Sequence, residues 1–200
     1  NNAGTYTNNF ISGDPGFVDE SNGDYHLSDY SPCLGAGNST DIPSTDIEGN
    51  PRPNPAGTGP DIGAYENALA TRLPITWYAS TTGTSIQAAI NAASPLDTVF
   101  IHSGTYYDSI NVDKSLVMMG DSTNKPILKN IDANGIITIS GTTTDFTARY
   151  LRFEDHVGGA TAVSNSTTIN SGTFEFCDFY YFGKGIRILY TTYINNCTFR

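Results

Sequence analysis

The chain has 200 residues, a net charge of −10, only 15% charged residues, and Lys and Arg that are few and scattered. This excludes the basic footprint of a nucleic-acid binder or of a protein that sits on an anionic membrane surface. No apolar run approaches the roughly 20 residues that a membrane-spanning helix needs, which excludes membrane insertion by a helix.

Gly, Asn, Thr, Ser and Tyr are abundant while Leu, Lys and Glu are thin, the balance of an all-β protein of strands and turns. Three cysteines, Cys33, Cys177 and Cys197, without CxxC spacing, make neither a disulfide framework nor a zinc site. They read as small buried hydrophobes.

Residues 1–68 are rich in Gly, Asn, Asp and Pro, with short apolar runs at Phe10-Ile11, Phe17-Val18, Tyr25-His26-Leu27 and Ile62-Gly63-Ala64-Tyr65. Between 38 and 60 lies a polar loop with five of the ten prolines. Its composition alone is that of a disordered segment, but the apolar motifs on either side predict that it is tied onto a domain. Residues 69–74 read as a linker. From 84 to 94 the spacing predicts a short helix: Thr84 or Ser85 is placed to cap it. Ile86, Ile90 and Ala93 form one apolar stripe, and Pro95 ends it. Short strands follow within 97–106, 109–112 and 115–120.

Two elements then recur, each with a period of roughly two dozen residues. Gly135-Ile136-Ile137-Thr138-Ile139 is echoed at 159–163 and again at 185–189. Leu151-Arg152-Phe153 is echoed by Cys177-Asp178-Phe179 and then, after a shorter step, by Cys197-Thr198-Phe199. Short strands at such a period, without helical periodicity, predict coils stacked in parallel strands about 4.8 Å apart. A single coil cannot bury its apolar face, so stacking makes the core. Phe153, Phe179 and Phe199 are expected to form one axial ladder, and Cys177 over Cys197 another. The helix at 84–94 is expected to cap the stack, whose exposed end would otherwise invite edge pairing.

The ordered blocks Asp14-Pro15-Gly16-Phe17-Val18-Asp19, Gly23-Asp24-Tyr25-His26-Leu27, Ser31-Pro32-Cys33-Leu34-Gly35-Ala36-Gly37, Asp46-Ile47-Glu48-Gly49-Asn50-Pro51-Arg52 and Asp61-Ile62-Gly63-Ala64-Tyr65-Glu66 resemble the C-terminal end of bacterial right-handed parallel β-helix proteins of the pectin-lyase-like superfamily. Residues 85–93, 97–101, 104–106 and 114–120 resemble the N-terminal end of the same superfamily, with Leu96 standing where those proteins usually have Gly. The resemblance implies right-handed parallel β-helices in tandem. Residues 1–68 would be the end of a first solenoid, 69–74 a linker, and 75–200 the cap and first coils of a second, truncated one. Both termini are expected to be cuts within a longer secreted or cell-surface bacterial protein whose export signal lies outside them.

Catalytic chemistry in that superfamily lies on the outer face of middle coils, where lyases use carboxylate-bound Ca²⁺ with a basic residue and hydrolases use paired carboxylates. No catalytic set is expected in these residues. Asp132, Asp155 and Asp178 are evenly spaced in sequence, close to one coil apart. Their places relative to the two repeated elements put them at different corners, so they are expected to be independent turn residues. Asp46, Glu48 and Asp61 could hold Ca²⁺; the alternative, that they accept backbone N–H bonds or pair with Arg52, is preferred. His26, His102 and His156 have no ligand spacing. The aromatics from 174 to 182 could stack on a sugar where they face outward, but alternation sends about half of them inward. The expected role is therefore a structural, adhesive or carbohydrate-contacting module with a polysaccharide or surface glycan as partner and no cofactor. The alternative is part of a polysaccharide lyase, esterase or hydrolase whose catalytic coils lie elsewhere.

Overall fold

The computed structural model describes residues 13–130, 135–140, 145–155, 161–165, 171–182, 184–187 and 191–200. The sequence readings at Phe10-Ile11, Asp132, His156, Gly159-Ala160 and Ile188-Leu189 lie outside the described residues. The chain divides into two compact units, residues 1–74 and 75–200.

In the first unit, β1 (Phe17–Asp19) and β2 (Asp24–Leu27) form an antiparallel pair joined by a 3-10 turn over Glu20–Asn22. The rest of its described residues are turns and irregular backbone, with a single bridge between Thr45 and Pro51. Its apolar core is small: Leu27, Cys33 and Leu34 are buried, with Phe17, Ile62 and Leu69 packed against them. Backbone segments approach too closely for side chains. At Gly35, whose φ is +63°, a Cβ would strike the Ala70 carbonyl, a position that only glycine fills without strain. Residues 69–74 are held by this unit at both ends. Leu69 joins the core, and the Leu73 N–H donates to the Asp29 carbonyl at 2.8 Å.

The second unit begins with β3 (Thr76–Ala79) and α1 (Ile86–Ala92). Three strands then recur in strict rotation: β4 (Thr98–Ile101), β5 (Thr105–Tyr107), β6 (Ile110–Val112), β7 (Leu116–Gly120), β8 (Ile127–Lys129), β9 (Ile137–Ile139), β10 (Asp145–Arg149), β11 (Arg152–Glu154), β12 (Thr161–Asn165), β13 (Ser171–Glu175), β14 (Asp178–Tyr180), β15 (Lys184–Arg187), β16 (Thr191–Asn195) and β17 (Thr198–Phe199). A first sheet takes β3, β4, β7, β10, β13 and β16 in order. A second takes β5, β8, β11, β14 and β17, and a third takes β6, β9, β12 and β15. Every pairing in these sheets is parallel. The unit is an all-β parallel solenoid.

Alternation sends successive side chains of a strand to opposite faces. In the first sheet Val99, Met118, Ala148 and Phe174 are register partners and all are buried. In the second sheet the inward row is Tyr106, Leu128, Phe153, Phe179 and Phe199. The expected phenylalanine ladder is therefore present, its rings stacked at 4.9 and 4.8 Å with interplanar angles of 7°. Cys177 and Cys197 follow the same register.

The third sheet differs from the sequence alignment. Aligning the repeats on their glycines sets Ile137 against Thr161, and Thr161 against Arg187. In the structure Ile137 pairs with Val163, Thr161 with Lys184 and Val163 with Ile186. The cause is that the glycines do not mark one place in the coil: Gly135 precedes β9, whereas Gly185 lies inside β15. Ile136 and Ile137 are both buried, as are Ala162 and Val163, so inward–outward alternation does not fix the register there.

The cap is built as expected, slightly shorter. Ser85 caps α1 by accepting from the Ala88 N–H at 3.2 Å, and Ile86, Ala89, Ile90 and Ala93 are buried. Two polar groups lock it. Lys114 Nζ donates to the Ile90 and Ala93 carbonyls at 3.1 Å, satisfying groups that a helix end leaves unpaired. The buried Asp97 carboxylate accepts from the Ile75 N–H (2.7 Å), the Ser94 N–H (2.9 Å) and the Trp77 indole N–H (2.9 Å). Beside it Leu96 has φ of +75° and is largely exposed. That left-handed conformation explains why glycine suits the site.

Candidate functional site

The outward positions of the second sheet carry the most organised polar surface of the solenoid. Because strands pair in register, Tyr107, Lys129, Glu154 and Tyr180 form one axial row. Arg200 continues it, its N–H donating to the Phe179 carbonyl at 2.9 Å. Lys129 Nζ lies 2.9 Å from Glu154 Oε2 and 6.0 Å from the centre of the Tyr107 ring. The hydrogen bond that Lys129 donates to Glu154 raises the Lys129 pKa, so the ammonium is fully charged at neutral pH. In the neighbouring row, Arg152 reaches Glu154 Oε1 at 2.5 Å and sets its guanidinium 4.4 Å from the centre of the Tyr180 ring. Lys125 pairs with Asp178 at 2.9 Å. Aromatic faces thus flank fixed donors and acceptors along the axis. Chemically, this surface can stack on apolar faces of a ligand while hydrogen-bonding its hydroxyls or carboxylates.

One corner beside the first sheet adds aromatic surface. Tyr150 and Phe176, both with φ of +56°, occupy equivalent places in consecutive coils, and their rings stack at 5.1 Å and 9°. Asn196 holds the next such corner, with φ of +51°. Asparagine is the residue type that tolerates this conformation; aromatic residues bear strain there.

The first unit has a cleft of about 560 Å³ lined by Val18, His26, Leu27, Tyr30, Tyr65 and Asn67 among others. His26, Asp29 and Glu66 are among its lining residues. His26 Nδ1 lies 2.6 Å from Asp24 Oδ1, Nε2 lies 3.1 Å from Glu48 Oε2, and the ring packs 4.0 Å from that of Tyr65. The hydrogen bonds with Asp24 and then Glu48 raise the His26 pKa, and the bond with His26 lowers that of Asp24. The two carboxylates sit at opposite nitrogens, so the three groups do not converge on one point.

The carboxylates considered for Ca²⁺ are engaged elsewhere. Asp46 Oδ1 accepts the N–H groups of Glu48 (2.9 Å) and Asn50 (2.8 Å), and Oδ2 accepts the Asn50 side-chain amide (2.9 Å) and the Glu66 N–H (3.0 Å). Burial opposes its ionisation, but these bonds outweigh burial and hold its pKa well below the ordinary carboxylate range. Asp61 accepts the Gly35 and Asn67 N–H groups, both at 2.7 Å. Burial raises its pKa despite them. Arg52 pairs with Glu66, at 2.7 Å, and its charge also acts on Asp61. Among the described residues no group of three His, Cys, Asp or Glu is placed to hold a metal ion.

Asp178 is the register partner of Arg152, whereas Asp155 lies beyond Glu154, the partner of Tyr180. The two aspartates therefore occupy different positions of their coils. His102 packs its ring 5.7 Å from Tyr78 and 5.3 Å from Phe100, on the outside of the first sheet. Of the aromatics between 174 and 182, Phe174 and Phe179 are buried while Phe176 and Tyr181 are exposed.

Sequence reading missed the axial row. Its members each come from a different coil, and only the strand register unites them. The Asp24–His26 pair was accessible, since residues i and i+2 share a strand face.

No known protein family matches the chain, and no curated protein matches it. No described helix is long and apolar enough to cross a membrane.

Proposed function

We propose that residues 75–200 are coils of a right-handed parallel β-helix of the pectin-lyase-like type, and that they act as a structural and adhesive module whose outer face contacts polysaccharide. The host is a large secreted or surface-displayed bacterial protein. The observation that carries the contact surface is the axial row Tyr107–Lys129–Glu154–Tyr180–Arg200 with Arg152 beside it. Ion pairs hold the polar groups in place before any ligand arrives, which lowers the ordering cost of binding. The right-handed sense is supported by the strong preference for that hand when parallel strands of one sheet are joined by crossovers. Secretion and a bacterial source rest on the sequence resemblance of residues 14–66 and 85–120.

The test is affinity electrophoresis through gels containing acidic or neutral polysaccharides. The wild-type chain is expected to be retarded by at least one of them, and the double variant Tyr107→Ala/Tyr180→Ala to migrate freely with an unchanged circular dichroism spectrum. Equal retardation of wild type and variant would place any contact elsewhere and sink the proposed face.

A further inference from the structure

Two thiols stand one above the other in consecutive coils. Cys177 immediately precedes β14 and Cys197 immediately precedes β17. Asp178 is the register partner of Thr198, and the Thr198 N–H donates to the Cys177 carbonyl at 2.9 Å. Their sulfurs occupy equivalent places: Cys177 Sγ is 3.5 Å from the Ala148 carbonyl oxygen, and Cys197 Sγ is 3.4 Å from that of Phe174. Ala148 and Phe174 are themselves register partners. The two side chains therefore leave the backbone in the same direction, one strand spacing of about 4.8 Å apart. That falls inside the roughly 4.4–6.8 Å window of Cα separations seen for disulfides. Both are reduced, Cys177 is buried, and Cys197 is partly exposed.

We propose that Cys177 and Cys197 are a redox-closable pair, converted by a small disulfide oxidant of the oxidised-glutathione type into a disulfide that staples one coil to the next. Access assigns the order of events. The partly exposed Cys197 thiolate attacks one sulfur of the oxidant, forming a mixed disulfide and releasing one glutathione thiolate. The neighbouring Cys177 gives up its proton to the released thiolate and attacks the Cys197 sulfur, expelling the second glutathione as thiolate. Two cysteine thiols are oxidised, one external disulfide is reduced to two thiols, and the protons pass to those thiols and to solvent. The hydrogen bond from Cys177 favours the ionised form of Cys197, while the same bond and burial disfavour ionisation of Cys177. The assignment of nucleophile and resolving thiol agrees with that difference. Cys33, buried in the first unit, has no counterpart of this kind among the described residues.

The test uses the whole chain treated with oxidised glutathione, then denatured, alkylated and mapped by mass spectrometry. One alkylated cysteine, Cys33, and a linked pair of peptides carrying Cys177 and Cys197 are expected. Cys177→Ala is expected to stop at a glutathione adduct on Cys197, and Cys197→Ala to leave Cys177 unmodified. The oxidised wild type should melt at a higher temperature than the reduced, a shift absent from both variants. Three alkylated cysteines in the treated wild type, a persistent glutathione adduct on Cys197 of the wild type, or a link through Cys33 would each overturn the proposal. The wild-type map requires no substitution, so a variant that fails to fold does not remove the test.

Discussion

The two units solve the same problem with different materials. Among the described residues the second unit buries twenty-five apolar side chains in one cluster, while the first buries three. In the first unit the interior places are taken by carboxylates. Asp46, Asp61 and Glu66 are all buried, and between them they accept backbone N–H groups from Glu48, Asn50, Asn54, Asp61, Gly35, Glu66 and Asn67. Apolar stacking is non-directional and tolerates uneven loops, because any coil of similar girth completes the core. A carboxylate that ties several turns together is directional, so each acceptor is specific to one place. The first unit should accordingly be sensitive to charge and pH, and the second to volume.

The largest effect expected is on volume. Phe179 is buried and sits between Phe153 and Phe199 in the ring stack. Phe179→Ala should cost about 4 kcal/mol through lost transfer energy and a cavity. Urea unfolding followed by hydrogen exchange should assign that loss to residues 75–200. Equal loss of protection in residues 13–74 would break the contrast between the units.

The matching change in the first unit is Glu66→Gln. The Glu66 side chain is fully buried, pairs with Arg52 at 2.7 Å, and accepts the N–H groups of Asp61 and Asn54, both at 3.0 Å. The amide keeps one acceptor but leaves the largely buried guanidinium without its counter-charge. A loss of about 3 kcal/mol is expected in residues 13–74, read by the same exchange experiment. A neutral result would mean that shape, not charge, holds these turns.

Legibility from sequence divides along the same line. The Phe153, Phe179 and Phe199 register was readable because each follows Leu151, Cys177 or Cys197 by two positions, so a pair of side chains on one strand face repeats as a unit. The third-sheet register was not, because adjacent buried residues such as Ile136-Ile137 remove the alternation that fixes it. In the first unit the acceptor role of the acidic residues followed from turn chemistry, but the partner of Arg52 did not. Glu66 lies beyond the loop, and only the folded turns bring it to the guanidinium. The outer row of the solenoid was hidden because surface rows in a stacked fold are a property of register, and register here runs through loops of unequal length. The first sheet shows how unequal: Thr98 pairs with Val117, Leu116 with Phe146, Phe146 with Gly172 and Gly172 with Thr192, and no two of these steps match.

The pH dependence sharpens the contrast further. Folding raises the His26 pKa above its ordinary 6.5 through Asp24 and Glu48. Its contribution is therefore complete below about pH 6.5 and fades as pH rises through the folded value. Asp24 and Asp46 act in the opposite direction: their pKa values are lowered from 3.8, so their contribution is complete above that value and is lost on acidification below it. The first unit should be most stable between these limits. Chemical denaturation across pH 5 to 9 should show its midpoint falling above pH 6.5 in wild type and staying level in His26→Gln. An unchanged slope in the variant would remove His26 as the cause.

The smallest effect concerns Leu96 in the second unit, a place where volume is irrelevant and backbone geometry decides. It is 70% exposed, so little burial is lost on truncation, yet its φ of +75° lies in the left-handed region. For an L-residue that conformation costs roughly 1–2 kcal/mol. Glycine adopts it freely but gives the unfolded chain more entropy, worth about 0.5–1 kcal/mol. The two terms leave Leu96→Gly more stable than wild type by about 0.5 kcal/mol, whereas Leu96→Ala, which keeps the strained conformation, should be neutral. A thermal melt of the three proteins separates these outcomes. If alanine stabilises as much as glycine, the gain comes from removing an exposed apolar side chain. If only glycine does, the turn before Asp97 is limited by its backbone, as the three donors gathered on that buried carboxylate require.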